Sequence, residues 1–387
     1  MSVSHVARKD LLTLSTELSE SSPYYYGMDI TERFADVLKQ YPFDKIFFVT
    51  AEPLFRLYGE EFVRIFNQER IPYDVLAIGD REEDKCFRSL EELCDSLVER
   101  GVTKGSIIVS FGGGCLGNIV GLAASLIYRG VRYVEIPTTL MGITDSTLSN
   151  KQAVNGKFGK NHFGTYYRPL FIWSDIKYLQ TEKLINTKAA IVEGIKNGFI
   201  SDGSLLDYLD SELQSEREAF TLDELYDLAL NIIQSKLNIL RRDPTEKSYA
   251  MILEYGHTFG HAIEWLTKGA VIHGLAVAKG MCIAAELSRH LGMLPEEGVE
   301  KHYHLLGRRL GLDLSIPKGI TPRDILNVIH SDNKKGASGI KYILLEEIGA
   351  CSNPDGDYQV FVDPETVEQV LGEYMTKNGG IRNEALL

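Results

Sequence analysis

The stretch SIIVSFGGGCLGNIVGLAASLIYRG, residues 106–130, decides how this chain folds. SIIVSF (106–111) is a short β-branched and aromatic run, as a buried strand requires. It passes directly into GGGCLGN (112–118) and then into the helical pattern IVGLAASLIYRG. A strand, a triple-glycine turn and a helix start are what a pyrophosphate needs. Glycines let the backbone come close, and the helix N-terminus offers oriented N–H donors. The turn does not match GxGxxG, and a glycine-rich turn of this kind also serves tight packing. On these residues alone both readings stand.

Outward from that turn, short apolar runs alternate with amphipathic segments. KIFFVT (45–50), YDVLAI (73–78), RYVEIP (132–137) and LFIWSD (170–175) read as further strands. Between them, EEFVRIFNQE and LEELCDSLVER carry apolar residues at helical spacing. Such alternation predicts βαβ units and a parallel sheet. From about residue 183 the β-branched runs fade, and 187–212, 222–241, 250–268, 273–292, 297–311 and 322–331 read as helices. The expected organisation is an N-terminal Rossmann-like α/β domain over 1–183 and an all-α domain over 184–387, the boundary falling near 180–186. There is no internal repeat. The tail TKNGGIRNEALL reads as frayed or loosely docked.

The 387 residues suffice for two cores. No run of eighteen apolar residues predicts a membrane span, and the N-terminus lacks the apolar stretch of a secretory signal. Five scattered cysteines without CxxC pairing predict reduced thiols in a cytoplasmic protein and argue against a cysteine metal site. A formal charge of −13 disfavours nucleic acid, so an anionic ligand must meet a local basic cluster.

The strongest local signal is EYGHTFGHAIE (254–264). His257 and His261, four apart, project from one helix face. His273 opens the next helical phrase, IHGLAVAKGM, and Glu193 sits upstream in IVEGIKNG. Imidazoles plus a carboxylate that leave a coordination position open make a catalytic zinc-like site. A lone HxxxH is more often a surface pair. Here a third histidine follows at once in a chain with nine, and a metal site is the better reading. TTLMGITDSTLSNKQAVNGKFGKNHFG (138–164) reads as a loop carrying Lys151, Lys157, Lys160, Asp145 and Asn161. It suits a sugar phosphate held by ammonium groups and amides, and equally a solvated surface loop.

In order along residues 45–350, GGGxxG, the YRG turn, PTTL, D(x)5K, GKN, E(x)2K, GHTFGHAIE and HG(x)AVA(x)GM resemble the sugar-phosphate cyclases related to dehydroquinate synthase. The resemblance implies an NAD-binding domain, a helical domain, a homodimer, bound NAD and a divalent cation, Co²⁺ or Zn²⁺. It implies Glu193, His257 and His273 as metal ligands, which moves His261 to the substrate phosphate. Lys151, Asn161, Lys196, Lys236 and Lys334 match the substrate-binding set, with Lys151, Lys196, His261 and Glu254 as catalytic candidates. Arg129 matches an arginine that reaches the neighbouring subunit's active site. NAD contacts map to Glu83, Lys85, Gly113, Gly114, Thr138, Thr139, Asp145, Lys160 and Thr181.

The departures narrow the choice. Dehydroquinate synthases carry asparagine and arginine where this chain has Glu254 and Ala250, and loss of that arginine removes a partner for a substrate carboxylate. Glu254, KQAVN and SDNKK (331–335) resemble the 2-deoxy-scyllo-inosose synthases, which take glucose 6-phosphate. Cyclases of sedoheptulose 7-phosphate tend to read GHTFSP, which is absent. Ala51 stands where the family often holds the adenosine ribose with aspartate, leaving Glu52 as the substitute. The main rival is an iron-type alcohol or glycerol dehydrogenase, which shares the glycine turn and the histidines but has no need for the lysines.

Overall fold

The computed structural model describes residues 12–14, 22–157, 159–331 and 340–379. They form two compact units, one running to Thr187 and taking in Phe220–Ile233, the other made of Lys188–Ala219 and the chain from Gln234.

The first unit is built on a seven-stranded sheet. Its strands are β1 (Leu12–Leu14), β2 (Tyr24–Gly27), β3 (Ile46–Thr50), β4 (Tyr73–Ala77), β5 (Ile107–Gly112), β6 (Arg132–Pro137) and, after the hairpin β7 (Lys151–Gly156) and β8 (Gly159–Tyr166), β9 (Ile172–Asp175). The order across the sheet is β1-β2-β9-β6-β5-β3-β4, parallel except for β1. The short helices α1 (Phe34–Leu38) and α2 (Glu52–Leu54) precede α3 (Glu60–Gln68), α4 (Phe87–Glu99), α5 (Gly114–Leu126) and α6 (Leu140–Thr144). Alternate residues of the strands face opposite layers. Phe48, Val109, Phe111, Val134 and Trp173 pack on one side. Phe47, Val49, Ile108 and Tyr133 pack on the other with α4 and α5. β3 has β4 on one side and β5 on the other, so the strand order reverses there. Ligands of open α/β sheets bind outside the carboxyl ends at such a reversal, which is where the glycine turn lies.

Two features of this unit depart from the sequence reading. The stretch 138–164 is not one loop: out of it β7 and β8 form and pair antiparallel, Lys151 opposite Tyr166. The alternating KQAVN carries the strand signal that polar composition hides. Strand β2, YYYG, joins β9 in parallel and was not foreseen. Its end is tied down by Asp175, which accepts from the Asp29, Ile30 and Thr31 amides and from the Thr31 hydroxyl.

Beneath α5, Glu135 is fully buried on β6, opposite Ser110 of β5. A Cβ on Gly117 would stand 2.4 Å from its Oε1, so any larger residue there would have to displace the carboxyl. Its Oε2 lacks a hydrogen-bond partner among the described residues, and burial drives the carboxyl up to about 7 from 4.5. An acid with a raised folded pKa contributes stability that is complete below its unfolded pKa and lost as pH rises through the folded value. The protein should therefore lose stability between pH 4.5 and about 7, by roughly 3 kcal/mol for this group. Glu135→Gln is expected to remove about half of the measured slope in thermal melts at pH 5, 6, 7 and 8. Glu182, also driven up to about 7 by burial, should leave a remainder. An unchanged slope would count against a buried, ionising Glu135.

The second unit is helical. Its elements are the latter parts of α7 (Leu184–Ser201) and α9 (Leu222–Arg242), with α8 (Gly203–Glu212), α10 (His257–Leu266), α11 (His273–His290), α12 (Glu296–His302), α13 (Pro322–Ser331) and α14 (Pro364–Gly379). The expected helix over 187–212 breaks at Asp202, and that over 250–268 breaks at Gly256, whose φ of +77° ends a 3-10 turn (Tyr249–Glu254) before α10 begins. The segment 297–311 becomes α12 followed by a π turn over Tyr303–Arg309. The tail is docked as far as it is described: Lys377 reaches Glu286, and Asn378 is buried in α14. Among the described residues, no helix is long and apolar enough to cross a membrane.

Candidate metal centre and dinucleotide turn

In the second unit, α7, α10 and α11 bring one carboxylate and two imidazoles together. One atom each of Glu193, His257 and His273 lie within 4.8 Å of one another. Glu193 Oε1 stands 3.7 Å from Nε2 of both histidines. The opposite oxygen, Oε2, accepts from Lys196 at 2.5 Å, the lysine being one turn further along α7. Oε1 itself is buried and has no hydrogen-bond partner among the described residues. A buried carboxylate oxygen left in that condition is costly, and a divalent cation between it and two imidazoles is the partner that its surroundings lack.

The histidines are oriented for that task. His257 Nδ1 lies 3.2 Å from the Tyr255 carbonyl, and His273 Nδ1 lies 3.3 Å from Glu264 Oε2. With Nδ1–H donated in each case, both Nε2 lone pairs face Glu193. Burial, then the Lys196 charge, push the His257 imidazole well below its usual range, which keeps it neutral and able to ligate. His261 stands beside this trio, its ring 5.2 Å from His257 and 5.7 Å from His273. It is not one of the three residues whose ligand atoms cluster. Glu254 ends the 3-10 turn half-buried, and its charge opposes the lowering at His257. Lys236 is buried on α9, and Ala250 is buried with its amide on Asp243. Lys334 lies outside the described residues.

Glu264 and Tyr255 were not singled out in the sequence as holders of the ligands. Glu264 ends the GHTFGHAIE phrase, and its position seven after His257 puts it on the same helix face. Glu264→Ala is expected to weaken cation binding by about 10- to 100-fold, measured by chelator competition. Unchanged affinity would leave Glu264 with a packing role only.

In the first unit, α5 starts at the glycine turn, capped by extended Gly113 with no side chain on its first-turn amides. A Cβ on Gly113 would come 3.2 Å from Thr139 Cγ2, and one on Gly114 would come 3.0 Å from Ser146 Oγ. The Ser146 hydroxyl is buried without a partner among the described residues, as is the Thr50 hydroxyl at the end of β3. The first-turn helix amides, the glycines and two hydroxyls without a partner among the described residues fit a dinucleotide's pyrophosphate. The Thr138 amide donates to Gly112, and Thr139 caps α6 by accepting from the Gly142 amide. Asp145 closes α6.

Around this turn the charged residues pair with each other. Buried Lys85 donates to Asn161 at 2.5 Å, joining a residue assigned to NAD with one assigned to substrate. Lys160 reaches Glu82, which also accepts from Asn155 and from the Cys115 thiol. Glu82 opens a short 3-10 turn of its own, Glu82–Asp84, and holds the hairpin to it, whereas neighbouring Glu83 is exposed. Lys151 opens β7 half-buried, Arg129 is exposed with φ +65°, and Thr181 is exposed, accepting from Tyr58. Exposed Glu52 is paired with Arg56.

The 3-dehydroquinate synthase N-terminal family matches residues 75–189 and the 3-dehydroquinate synthase C-terminal family residues 190–335. A 2-deoxy-scyllo-inosose synthase of Streptoalloteichus tenebrarius is 35% identical over 305 residues, 78% of each chain. One from Streptomyces kanamyceticus is 32% identical over 356 residues, 91% of each chain. A crystal structure of 2-deoxy-scyllo-inosose synthase complexed with carbaglucose-6-phosphate, NAD⁺ and Co²⁺ is similar with a TM-score of 0.85 at 28% identity, covering 94% of this chain and 99% of that one.

Proposed function

The chain belongs to the 3-dehydroquinate synthase family, and from that premise we propose that it is a sugar-phosphate cyclase, a carbon–oxygen lyase that converts glucose 6-phosphate to 2-deoxy-scyllo-inosose and phosphate. One observation carries the reaction class: Glu193 Oε1, without a hydrogen-bond partner among the described residues, faces two oriented imidazoles in a chain one-third identical to such synthases. The substrate choice rests on that likeness and on Ala250, which offers no cation to a substrate carboxylate.

When bound, NAD takes a hydride from a ring carbinol carbon and later returns it, while Co²⁺ or Zn²⁺ polarises the hydroxyl being oxidised. Glu193, His257 and His273 would hold the cation, and Lys196 donates to the second Glu193 oxygen. Ketone formation acidifies the adjacent C–H, phosphate leaves by β-elimination, and ring opening with an intramolecular aldol addition closes the carbocycle. We assign Lys151, Asn161, His261 and Lys334 to the substrate phosphate, and Lys236 to substrate recognition. Glu254 orients a hydroxyl or exchanges its proton. The glycine turn with Thr138, Thr139, Asp145, Lys85, Lys160, Glu83 and Thr181 is assigned to NAD. We further infer a cytoplasmic homodimer in which Arg129 serves the neighbouring subunit, acting in aminoglycoside antibiotic biosynthesis. Five cysteines without a disulfide suit a reducing compartment.

The test supplies NAD with Co²⁺ or Zn²⁺ and offers glucose 6-phosphate, sedoheptulose 7-phosphate and the seven-carbon keto-acid phosphate separately. Phosphate release from the first alone, without net NADH, is the expected result. Reaction of the keto acid alone would overturn the substrate, and net NADH from a simple alcohol would overturn the reaction class.

A further inference from the structure

We propose that His302 is a positioning residue for the cation site: with Tyr255 it forms a buried strut that sets the spacing of the three ligand-bearing segments. The inference rests on the cation reading above. His302 is fully buried at the end of α12, 45 residues from His257 in sequence. Its ring lies flat on Phe199, with centroids 3.5 Å apart and planes within 6°. Phe199 is on α7, six residues beyond Glu193, so this stack braces the helix that carries the carboxylate.

The two ring nitrogens have separate tasks. Nδ1 lies 2.8 Å from the Gly298 carbonyl and must carry the proton to donate there. Nε2 is then a bare acceptor, and the Tyr255 hydroxyl donates to it at 2.9 Å. Burial holds the ring neutral by lowering its pKa to about 4, so this arrangement persists at ordinary pH. Tyr255 is fully buried, and its oxygen also lies 3.3 Å from the Met281 carbonyl on α11, the helix that His273 opens. The main-chain carbonyl of the same tyrosine takes the His257 Nδ1–H. One phenol therefore touches α11 and His302, while its own backbone orients His257. Through Phe199 the same pair reaches the segment of Glu193. Ligand spacing of this kind decides cation affinity, because first-shell groups are only as well placed as what holds them.

Tyr255→Phe deletes one oxygen, and His302→Phe keeps a flat ring against Phe199 while removing the acceptor. Co²⁺ affinity would be measured by chelator competition and the site geometry by the visible absorption of bound Co²⁺, with NAD affinity and far-ultraviolet circular dichroism showing that the chain is folded. Each variant is expected to bind Co²⁺ about 10- to 100-fold more weakly with an altered absorption band. The double variant should be no weaker than the worse single, since both changes break one strut. Folded variants with wild-type affinity and band would overturn the proposal, and so would losses that simply add. Should His302→Phe not fold, Tyr255→Phe decides alone. A wild-type protein that holds no Co²⁺ would instead sink the cation reading, and this inference with it.

Discussion

Replacing His257 by alanine is expected to lower phosphate release from glucose 6-phosphate by more than ~100-fold, beyond the cost of altering a group behind a ligand. The alanine removes one of two imidazole nitrogens that face Glu193 Oε1 and leaves that oxygen with His273 alone. The buried Glu193–Lys196 pair remains, now beside an empty volume, so cation affinity should fall in step with turnover. Co²⁺ content and phosphate release measured on the same preparations check both. Since the glycine turn belongs to the other unit, NAD affinity should stay near wild type. Near-wild-type turnover would remove His257 from the site. Excess chelator applied to the wild type should reproduce the variant's inactivity, and added Co²⁺ should reverse it only in the wild type.

The second large effect is structural. Gly280→Ala is expected to destabilise the second unit by about 3 kcal/mol or more, at the upper end of overpacking effects. A Cβ there would stand 2.0 Å from the Gly256 carbonyl oxygen and 2.8 Å from the Gly260 nitrogen. Both neighbours are backbone, so nothing flexible can step aside. Gly256 cannot yield either, because it is held in the left-handed region at the start of α10. Relief requires α11 to move away from the EYGH turn, which would displace His273 from His257. Thermal melts should show a fall of roughly 6–12 °C, accompanied by weaker Co²⁺ binding. Gly372→Ala in α14 is the contrast: its Cβ would meet open space, and a gain of about 0.5–1 kcal/mol is expected. A Gly280→Ala protein with wild-type melting and Co²⁺ binding would contradict this packing.

Much of the strand content was legible because buried parallel strands are written as continuous β-branched runs. KIFFVT, SIIVSF and RYVEIP each became a strand within a residue of its expected bounds. The order in which they pair was not legible, since no local pattern states that β3 lies between β4 and β5. The KQAVN hairpin was obscured by its lysines and asparagines. Helix α14 was missed although Asp363 and Pro364 announce it, with Asp363 capping Thr366 and proline at the first turn. In the metal site, i,i+4 spacing pointed to His257 with His261, whereas the geometry clusters His257 with His273 and Glu193. Helical spacing shows which residues share a face, and only tertiary packing shows which atoms converge. The bracing by His302 had no signal at all, because nothing in its own neighbourhood marks an imidazole as a support for a distant turn.

The return of Phe220–Ile233 to the first unit bears on how this gene could be cut or recombined. Tyr226 in that segment accepts the Tyr26 hydroxyl on its carbonyl and places its ring 4.8 Å from the Tyr26 ring. A fragment ending at Thr187 would lose both, and one beginning at Lys188 would carry fourteen residues whose packing partners had been left behind. The halves are thus not interchangeable cassettes: a graft from a relative that respected only the linear boundary would swap one side of the Tyr26–Tyr226 pair and keep the other. Chimeras should work only when residues 220–233 travel with the N-terminal parent.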